Sequence, residues 1–420
     1  MDQYILYSFE ALAFFLFICL LAYTPRLIGW FAALKKDPIL HNDKQNRIAI
    51  LIPARDESAT ISGLLNNLHN QTYKNFDVFV IVKDKKDPSI GIAHSFGFHS
   101  HVAPNQTCKG DALDSCLHSI MRRDRNGFDA YLIIDADCMV NSDYVEKMND
   151  GLASNRQVIL SRKLVKNYEM NGRVSMQQAC NGIIWTLMDE MGNRFRSRHG
   201  YTTFTVGTGI MIRRDIIEIN DGWPYRSTMT EDMEFMNDIA ANGYSTFYYP
   251  YAIIYMEEAP SLRMTNKRRK RWMTGVVDAR RLYDRKVKLM ATRPNRYYVH
   301  CLWIIYFYIG AATIYSTSLG IMSFCLMCLG DPSWLMASIV STSAFFIVYL
   351  SFFAMTLVAV IIEWKNIKMS FIRKIVLLFI HPIFYMHYIE IVAGALLHLN
   401  SKKWDPIARV NEETKTEEII

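Results

Sequence analysis

Apolar residues are distributed along this 420-residue chain in two ways: long unbroken runs toward both ends, and short runs alternating with helical stripes in between. Residues 4–24 (YILYSFEALAFFLFICLLAYT) are long enough to cross a bilayer as a helix, with Glu10 inside the run. No basic segment precedes that run and no small-residue cleavage pattern follows it, so the pattern predicts a retained helix over 1–34 and not a cleaved signal. Residues 297–330 and 332–362 contain no Asp, Glu, Lys or Arg and are separated by Asp331-Pro332, which predicts a transmembrane hairpin over 297–363. Within 371–400 a further apolar segment is interrupted by Pro382 and Glu390. It either spans or lies in the interface as a broken helix, and the basic residues at both ends (Arg373, Lys374, Lys402, Lys403) favour the second. A polar tail follows over 401–420.

The stretch 45–296 has a different texture. RIAILI (47–52), FDVFVIV (76–82) and AYLIID (130–135) read as strands with apolar side chains on both faces. Between them Ile61, Leu64, Leu65 and Leu68, and then Ala112, Leu113, Cys116, Leu117 and Ile120, mark one face each of two helices. Strands alternating with helices predict an α/β, Rossmann-like domain with a parallel sheet covered on both sides. No GxGxxG follows the first strand, so a dinucleotide fold is not supported.

Composition sharpens this picture. Hydrophobic residues make up 51% of the chain, high for a soluble protein of this length. The net charge of +7 suits a membrane surface and anionic ligands but is too small to argue for nucleic acid. Lys35, Lys36, Lys44 and Arg47 follow the first apolar run, whose amino-terminal side carries only Asp2 and Glu10; this predicts a cytoplasmic location for the α/β domain. The eight cysteines show no second paired spacing, and Cys325 and Cys328 sit inside an apolar run, so neither a zinc site nor a disulfide framework is indicated.

In an open α/β sheet, ligands bind beyond the carboxyl ends of the strands. Asp135 and Asp137 follow the third strand, and two hard oxygen donors so spaced suit Mg²⁺ or Mn²⁺ with a diphosphate supplying further ligands, although an isolated Asp-x-Asp equally fits a solvated turn. The acidic loops PARDES (53–58) and VKDKKD (82–87) leave the same edge, and CKGDAL (108–113) places Lys109 and Gly110 at a helix start. In FTVGTG (204–209), glycines flank Thr208. Thr230 is positioned to cap a helix whose first turn holds Glu231 and Asp232, so Asp232 is either a carboxylate complementing the helix dipole or an ionised base. The basic run NKRRKRWMTG (266–275) fits anionic lipid or a diphosphate, with Trp272 able to stack on a sugar.

Together these residues resemble the family 2 inverting glycosyltransferases of GT-A fold, and among them the membrane-bound cellulose, hyaluronan, chitin and poly-N-acetylglucosamine synthases. The resemblance covers about residues 48–275. It implies nucleotide-sugar contacts from Ala54, Arg55, Glu57, Asp84, Lys109, Asp135, Arg268 and Arg271, with Asp56 in the same loop. It further implies a metal at Asp137 and Asp135, acceptor contacts from Gly207, Thr208, Glu231 and Trp272, and a general base at Asp232. The family's Gln-x-x-Arg-Trp box is matched at Arg271 and Trp272, but Arg268 stands at the glutamine position, which weakens the inference of processive synthesis. WDPIAR (404–409) resembles a cytoplasmic ending of bacterial synthases. The expected activity is transfer from a UDP-sugar to a growing β-linked polysaccharide at the cytoplasmic membrane face. The alternatives are single transfer to a lipid carrier or glycolipid and a noncatalytic membrane scaffold with a nucleotide-binding domain. Accessory subunits are compatible with each.

Overall fold

The computed structural model describes residues 33–124, 127–166, 169–170, 173–259, 261–291 and 316–397, together with five isolated positions among the first 31. The expected spans over 4–24 and the first half of 297–330, and the 401–420 tail, lie outside the described residues.

Among the described residues, ten strands form one sheet of eight and one of two. They are β1 (Ile48–Pro53), β2 (Phe76–Val82), β3 (His99–Val102), β4 (Ala130–Ile133), β5 (Met139–Val140), β6 (Val158–Val165), β7 (Glu169–Met170), β8 (Arg173–Val174), β9 (Ile210–Arg213) and β10 (Thr246–Met256). The large sheet runs β3-β2-β1-β4-β9-β6-β10-β5, and β7 pairs with β8. The first four strands are parallel, as the sequence pattern predicts. The second half corrects the expectation of a parallel sheet: β9 is antiparallel to both β4 and β6, and β5 is antiparallel to β10. A turn with positive φ at Gly207 and Gly209 feeds β9 into the gap between two strands that run the other way. Its short apolar sequence carries no mark of direction.

Strand alternation produces two cores. Ile48, Ile50 and Ile52 face one side with Val78, Val80, Val82 and Leu132, under Ile61, Leu64, Leu65 and Leu68 of the Ile61–His69 helix. Ala49, Leu51, Ile81, Tyr131 and Ile133 face the other, where they meet Leu113, Cys116 and Leu117 of the Lys109–Arg123 helix. Each fully buried Ile or Leu contributes about 1.5–3 kcal/mol. Phe235 and Ile239 of the Glu231–Asn242 helix join this second core, so the starts of the Lys109 and Glu231 helices come to one edge of one sheet face. In β10, three residues around Pro250 are left out of the pairing with β6, a bulge where the ring's missing N–H is tolerated.

Two helices, Trp334–Ile362 and Phe371–Leu396, are long and apolar enough to cross a membrane. The second contains Pro382 and breaks at His387 into Phe371–Met386 and Tyr388–Leu396. Ser316–Cys328 packs antiparallel to the first: Ser316 and Ser341 exchange hydroxyl-to-carbonyl bonds (2.8 and 2.7 Å), and Ser323 donates to the Trp334 carbonyl (2.7 Å). These helices dock on the sheet domain through the Met176–Thr186 helix, where Ala179, Cys180 and Ile183 meet Ala359, Val360, Leu377 and Leu378.

Candidate active site

Four loops leave the carboxyl edge of the sheet together because their strands are in register: Pro53 lies opposite Ile81, and Leu51 opposite Ile133. The loop after β1 is tied by the Ala54 N–H to the Ile81 carbonyl (2.8 Å). In it, Arg55 lies 3.7 Å from Asp56, and Glu57 accepts a hydrogen bond from the Thr60 hydroxyl (3.0 Å). After β2, the Asp84 carboxylate turns the chain by accepting the Lys86 N–H (2.8 Å).

Lys109, Asp135, Gly207, Glu231 and Asp232 form one connected cluster. The Lys109 ammonium donates to Asp135 Oδ1 (2.6 Å) and to the Gly207 carbonyl (2.8 Å), and lies 3.3 Å from Glu231 Oε1. The Gly207 N–H donates to Asp232 Oδ2 (2.6 Å). Gly207 has φ +59°, and a β-carbon there would sit 3.8 Å from Asp232 Oδ2 and 4.0 Å from Asp135 Oδ2, so this glycine separates the two aspartates. Gly209, at φ +69°, admits no side chain, since its β-carbon would lie 1.9 Å from the Ser161 hydroxyl. The loop is stitched to the sheet by the Gly209 N–H to the Ile133 carbonyl (2.9 Å) and the Ser161 N–H to the Gly209 carbonyl (3.0 Å).

The Thr208 side chain turns inward, where its hydroxyl accepts the Asp135 N–H (2.9 Å) and fixes the start of the Asp135–Asp137 turn. Gly110 serves the same edge: its missing β-carbon would fall 2.1 Å from the Tyr225 carbonyl, so the Lys109 helix can begin only with glycine there.

The electrostatics follow from this crowding. Burial, then the adjacent Glu231 carboxylate, push Asp232 up to about 7, against the pull of Lys109 and of the N–H groups of Gly207 and Met233. Burial also raises Asp135, with Lys109 pulling the other way and Asp137 adding to the rise. For Lys109, burial works downward, but Asp135 and Glu231 outweigh it and hold the ammonium above the ordinary lysine value.

Asp135 and Asp137 could hold a divalent cation. Among the described residues no group of three or more His, Cys, Asp or Glu side chains converges as a cation site. Two carboxylates one residue apart nevertheless match the donor set of Mg²⁺ or Mn²⁺, which takes one or two carboxylates and completes its shell with phosphate oxygens and water.

From Asp232 a cavity of about 180 Å³ runs toward the C-terminal helices. Thr230, Met233 and Met236 line it from the Glu231 helix, Ile184, Trp185 and Met188 from the segment after β8, and Arg268, Arg269, Trp272, Met273 and Val276 from the Leu262–Ala291 helix. Tyr385, Tyr388 and Val392 close it from the apolar 371–396 segment. The Trp272 ring meets Trp185 edge-on at 5.9 Å and has the Arg268 guanidinium 5.1 Å over its face. Arg268 donates to the Glu257 carbonyl (3.1 and 3.0 Å) and to Glu258 Oε2 (3.1 Å); Arg271 is half-buried and outside the cavity lining.

Sequence reading missed the contribution of Asn181, Arg269, Tyr385 and Tyr388. Met233 and Met236, three apart on a helix beginning at the acidic triplet, were the available signal of an apolar wall beside Asp232.

The surroundings of this cleft coincide with a recognised sequence profile, described as glycosyl transferase family group 2, which matches residues 131–363. No curated protein sequence matches the chain. Among solved structures, the mannosyltransferase PcManGT from Pyrobaculum calidifontis, in complex with GDP-Man and Mn²⁺, aligns over 92% of this chain and 97% of its own at 15% identity and a TM-score of 0.55. S. aureus TarS 1–349 in complex with UDP-GlcNAc aligns over 71% and 89%, at 15% identity and a TM-score of 0.39. The mannosyl-3-phosphoglycerate synthase from Rubrobacter xylanophilus aligns over 57% and 76%, at 14% identity and a TM-score of 0.39. The profile takes in β4, the Asp-x-Asp turn, the Glu231 helix and the first long apolar helix, more than half of the chain, and so this protein belongs to glycosyl transferase family group 2 and is a glycosyltransferase.

Proposed function

We propose that the protein transfers a sugar from a UDP-sugar, with inversion, to an acceptor hydroxyl presented at the cytoplasmic face of a membrane. The observation that carries this reading is Asp232. Its carboxylate is fixed by the Gly207 N–H, raised to about 7, and placed where the polar cluster meets the mouth of the apolar cavity. A base titrating near the working pH combines useful basicity with a substantial ionised fraction.

In this reading Asp232 removes the acceptor proton while the acceptor oxygen attacks the anomeric carbon from the face opposite the diphosphate. One displacement inverts the centre, so an α-linked donor gives a β-linked product. The loops carrying Ala54, Arg55, Glu57 and Asp84 hold the nucleotide. Lys109, kept charged by Asp135 and Glu231, lies beside the departing diphosphate. Mg²⁺ or Mn²⁺ held by Asp135 and Asp137 would supply positive charge against the same group. Trp272 borders the acceptor, Arg268 and Arg271 are further candidates to face the diphosphate, and Gly207 shapes the junction between the two sites.

The resemblance to polysaccharide synthases makes the acceptor a growing β-linked glycan, with the domain at 45–296 mounted on helices at 1–34, 297–363 and 371–400. A second reading, single transfer to a lipid-borne acceptor, is favoured by the run of apolar side chains Met188, Met233, Met236, Met273 and Val276 in the cavity wall, which lies beside a few polar groups, Thr230, Thr265, Asn181 and Asn237.

Purified protein in nanodiscs, given Mg²⁺ or Mn²⁺ and a panel of UDP-sugars, is expected to release UDP and form a product whose size separates the two readings. Asp232→Asn should abolish transfer and leave UDP binding intact. Undiminished turnover in that variant removes the assignment, and no UDP release from any donor revives the noncatalytic scaffold.

A further inference from the structure

Arg269 lies in the basic run, at the first unspecified position of the family's Gln-x-x-Arg-Trp box. It is 1% exposed and, among the described residues, makes no ion pair. One guanidinium nitrogen donates to Asn181 Oδ1, and the charge sits 4.0 Å from the Tyr388 ring centre and 4.2 Å from that of Phe384. Its Nη1 is buried without a hydrogen-bond partner, and so is Asn181 Nδ2. Both residues line the cavity that begins at Asp232. Glu258, the other charged side chain there besides Asp232 and Arg268, is engaged by Arg268 (3.1 Å) and by the Trp185 indole N–H (2.7 Å).

Thr230 Oγ1 and Asn237 Oδ1, on the Asp232 side of this mostly apolar cavity, are also unpaired, but at Arg269 and Asn181 both unanswered atoms are donors and one is cationic, which calls for an anionic acceptor of hydrogen bonds there. Leaving a buried polar group unpaired destabilises the fold, and leaving a buried charge unpaired does so more strongly. The aromatic rings attract the charge but give the Nη1 hydrogens no acceptor. Burial depresses the Arg269 pKa, which marks the same deficit.

Position along the helix sets what lies between this donor pair and Asp232. Gly275 packs against Thr230, which stands at the N-cap position of the helix that carries Asp232 but makes no side-chain cap hydrogen bond. Arg269 is six residues away, about 9 Å at the helical rise. That rise, between backbone positions along the helix, is of the order of the length of one sugar ring. Beyond Arg269 the cavity is closed by Tyr385, Tyr388 and Val392 of the apolar 371–396 segment.

We infer that the acceptor is a lipid-linked sugar whose phosphate is held by Arg269 and Asn181, with its sugar hydroxyl at Asp232 and its apolar chain leaving along the 371–396 helices. This rests on the second reading above and adds the anchor. The acceptor hydroxyl gives its proton to Asp232, its oxygen forms the bond to the anomeric carbon, and UDP leaves with the electron pair of the broken bond. The phosphate at Arg269 is a handle and does not react.

Binding is measured on the full chain in phosphatidylcholine nanodiscs, using a C20 isoprenyl phosphate, the C20 isoprenyl alcohol and inorganic phosphate as probes. The phosphate lipid is expected to bind at least tenfold more tightly than the alcohol. Arg269→Met should erase that preference, and Arg269→Lys should retain part of it, with melting temperature as the folding control. Equal binding of lipid phosphate and alcohol to the unaltered protein overturns the inference even if the variants fail to fold. A folded Arg269→Met that keeps the preference does the same, as does one that instead loses UDP affinity. Inorganic phosphate competing as well as the lipid phosphate would make this a free-anion site and overturn the lipid assignment. Because the probes require no turnover, failure of every UDP-sugar to react would sink the proposed function without deciding this result.

Discussion

The two halves of the large sheet are held by different physics. Around β1, β2 and β4, stability comes from apolar side chains stacked on both faces, with Ile48, Ile50, Val80 and Leu132 fully buried and no charge among them. Around β6, β9 and β10, ion pairs penetrate the interior. Arg162 on β6 pairs with Glu363 at the end of the Trp334–Ile362 helix and lies 3.6 Å from Glu190. Glu190 also pairs with Arg194, which reaches Asp37 at 3.1 Å. Burial pushes Glu190 up, but Arg162 and Arg194 outweigh it and its pKa ends below the ordinary value. An apolar core is indifferent to which greasy surface covers it, whereas a buried ion pair names its partner. The half that docks the membrane-type helices is the half built from such pairs, which fixes the Asp232 cavity against those helices.

That contrast predicts its own largest effect. Glu363→Gln removes one of the two carboxylates beside the buried Arg162, leaving Glu190 at 3.6 Å, and should destabilise the protein by about 1.5–3 kcal/mol. Ile50→Val in the first half should cost only about 0.5–1.5 kcal/mol. Thermal melts of both variants in one detergent make the comparison. Equal losses would mean that the ion pairs do not define the second half. Replacing both partners, Arg162→Met with Glu363→Leu, should recover much of the loss, since two apolar groups leave no orphaned charge.

The same division decides what sequence alone could reveal. β1, β2 and β4 announce themselves because strands buried on both faces read as unbroken apolar runs, and the helices between them carry a clear 3.6-residue stripe. The acidic loops follow from strand direction, and the structure brings Lys109, Asp135, Glu231 and Asp232 together at one edge. β6 (VILSRKLV) was illegible because its Arg162 and Lys163 look like solvent-facing residues, whereas Lys163 is buried 3.6 Å from Asp189. β10 was obscured by Pro250 and its bulge. Thr208 reads as an acceptor contact from the resemblance of its FTVGTG loop, and the fold adds what sequence does not show, a hydroxyl that accepts the Asp135 N–H. Arg269 was one arginine among several until tertiary packing buried it with its Nη1 unbonded.

Two glycines sharpen the contrast at smaller scale. Gly91, in the Ser89–Ser95 helix of the first half, has nothing within 4 Å of where a β-carbon would stand. Gly91→Ala should therefore be neutral or stabilise by up to about 1 kcal/mol. Gly275 faces Thr230, whose Oγ1, Cγ2 and Cβ would lie 2.3, 2.5 and 2.9 Å from an added β-carbon. Rotation of Thr230 moves the first two atoms but not Cβ, so Gly275→Ala has to push the start of the Glu231 helix away. Overpacking of this kind costs about 1–3 kcal/mol, and here it also displaces Asp232. The expected signature is a loss of turnover larger than the loss of stability, read from UDP-release kinetics beside melting curves. A Gly275→Ala protein with normal turnover would show that this helix contact does not position the base.

The smallest effect concerns charge at Asp232 itself, and its sign can be worked out in full. A carboxylate raised to about 7 in the folded protein is half protonated there, whereas its unfolded value is about 3.9. As a base it must be ionised, so kcat/KM should rise with pH and level off above about 7, falling up to tenfold for each unit below that value. For stability the direction reverses. Ionising a group whose folded pKa is raised penalises the native state, and the penalty begins as pH climbs past the unfolded value and is complete above the folded one. Asp232→Asn should thus raise the melting temperature at pH 8, with the difference shrinking as pH falls toward 4. A single residue whose neutralisation stabilises the fold and stops the chemistry is one held in the ion-paired half for its function. If Asp232→Asn melts lower than the unaltered protein at pH 8, the Gly207 hydrogen bond outweighs burial and the carboxylate is a structural cap on its helix.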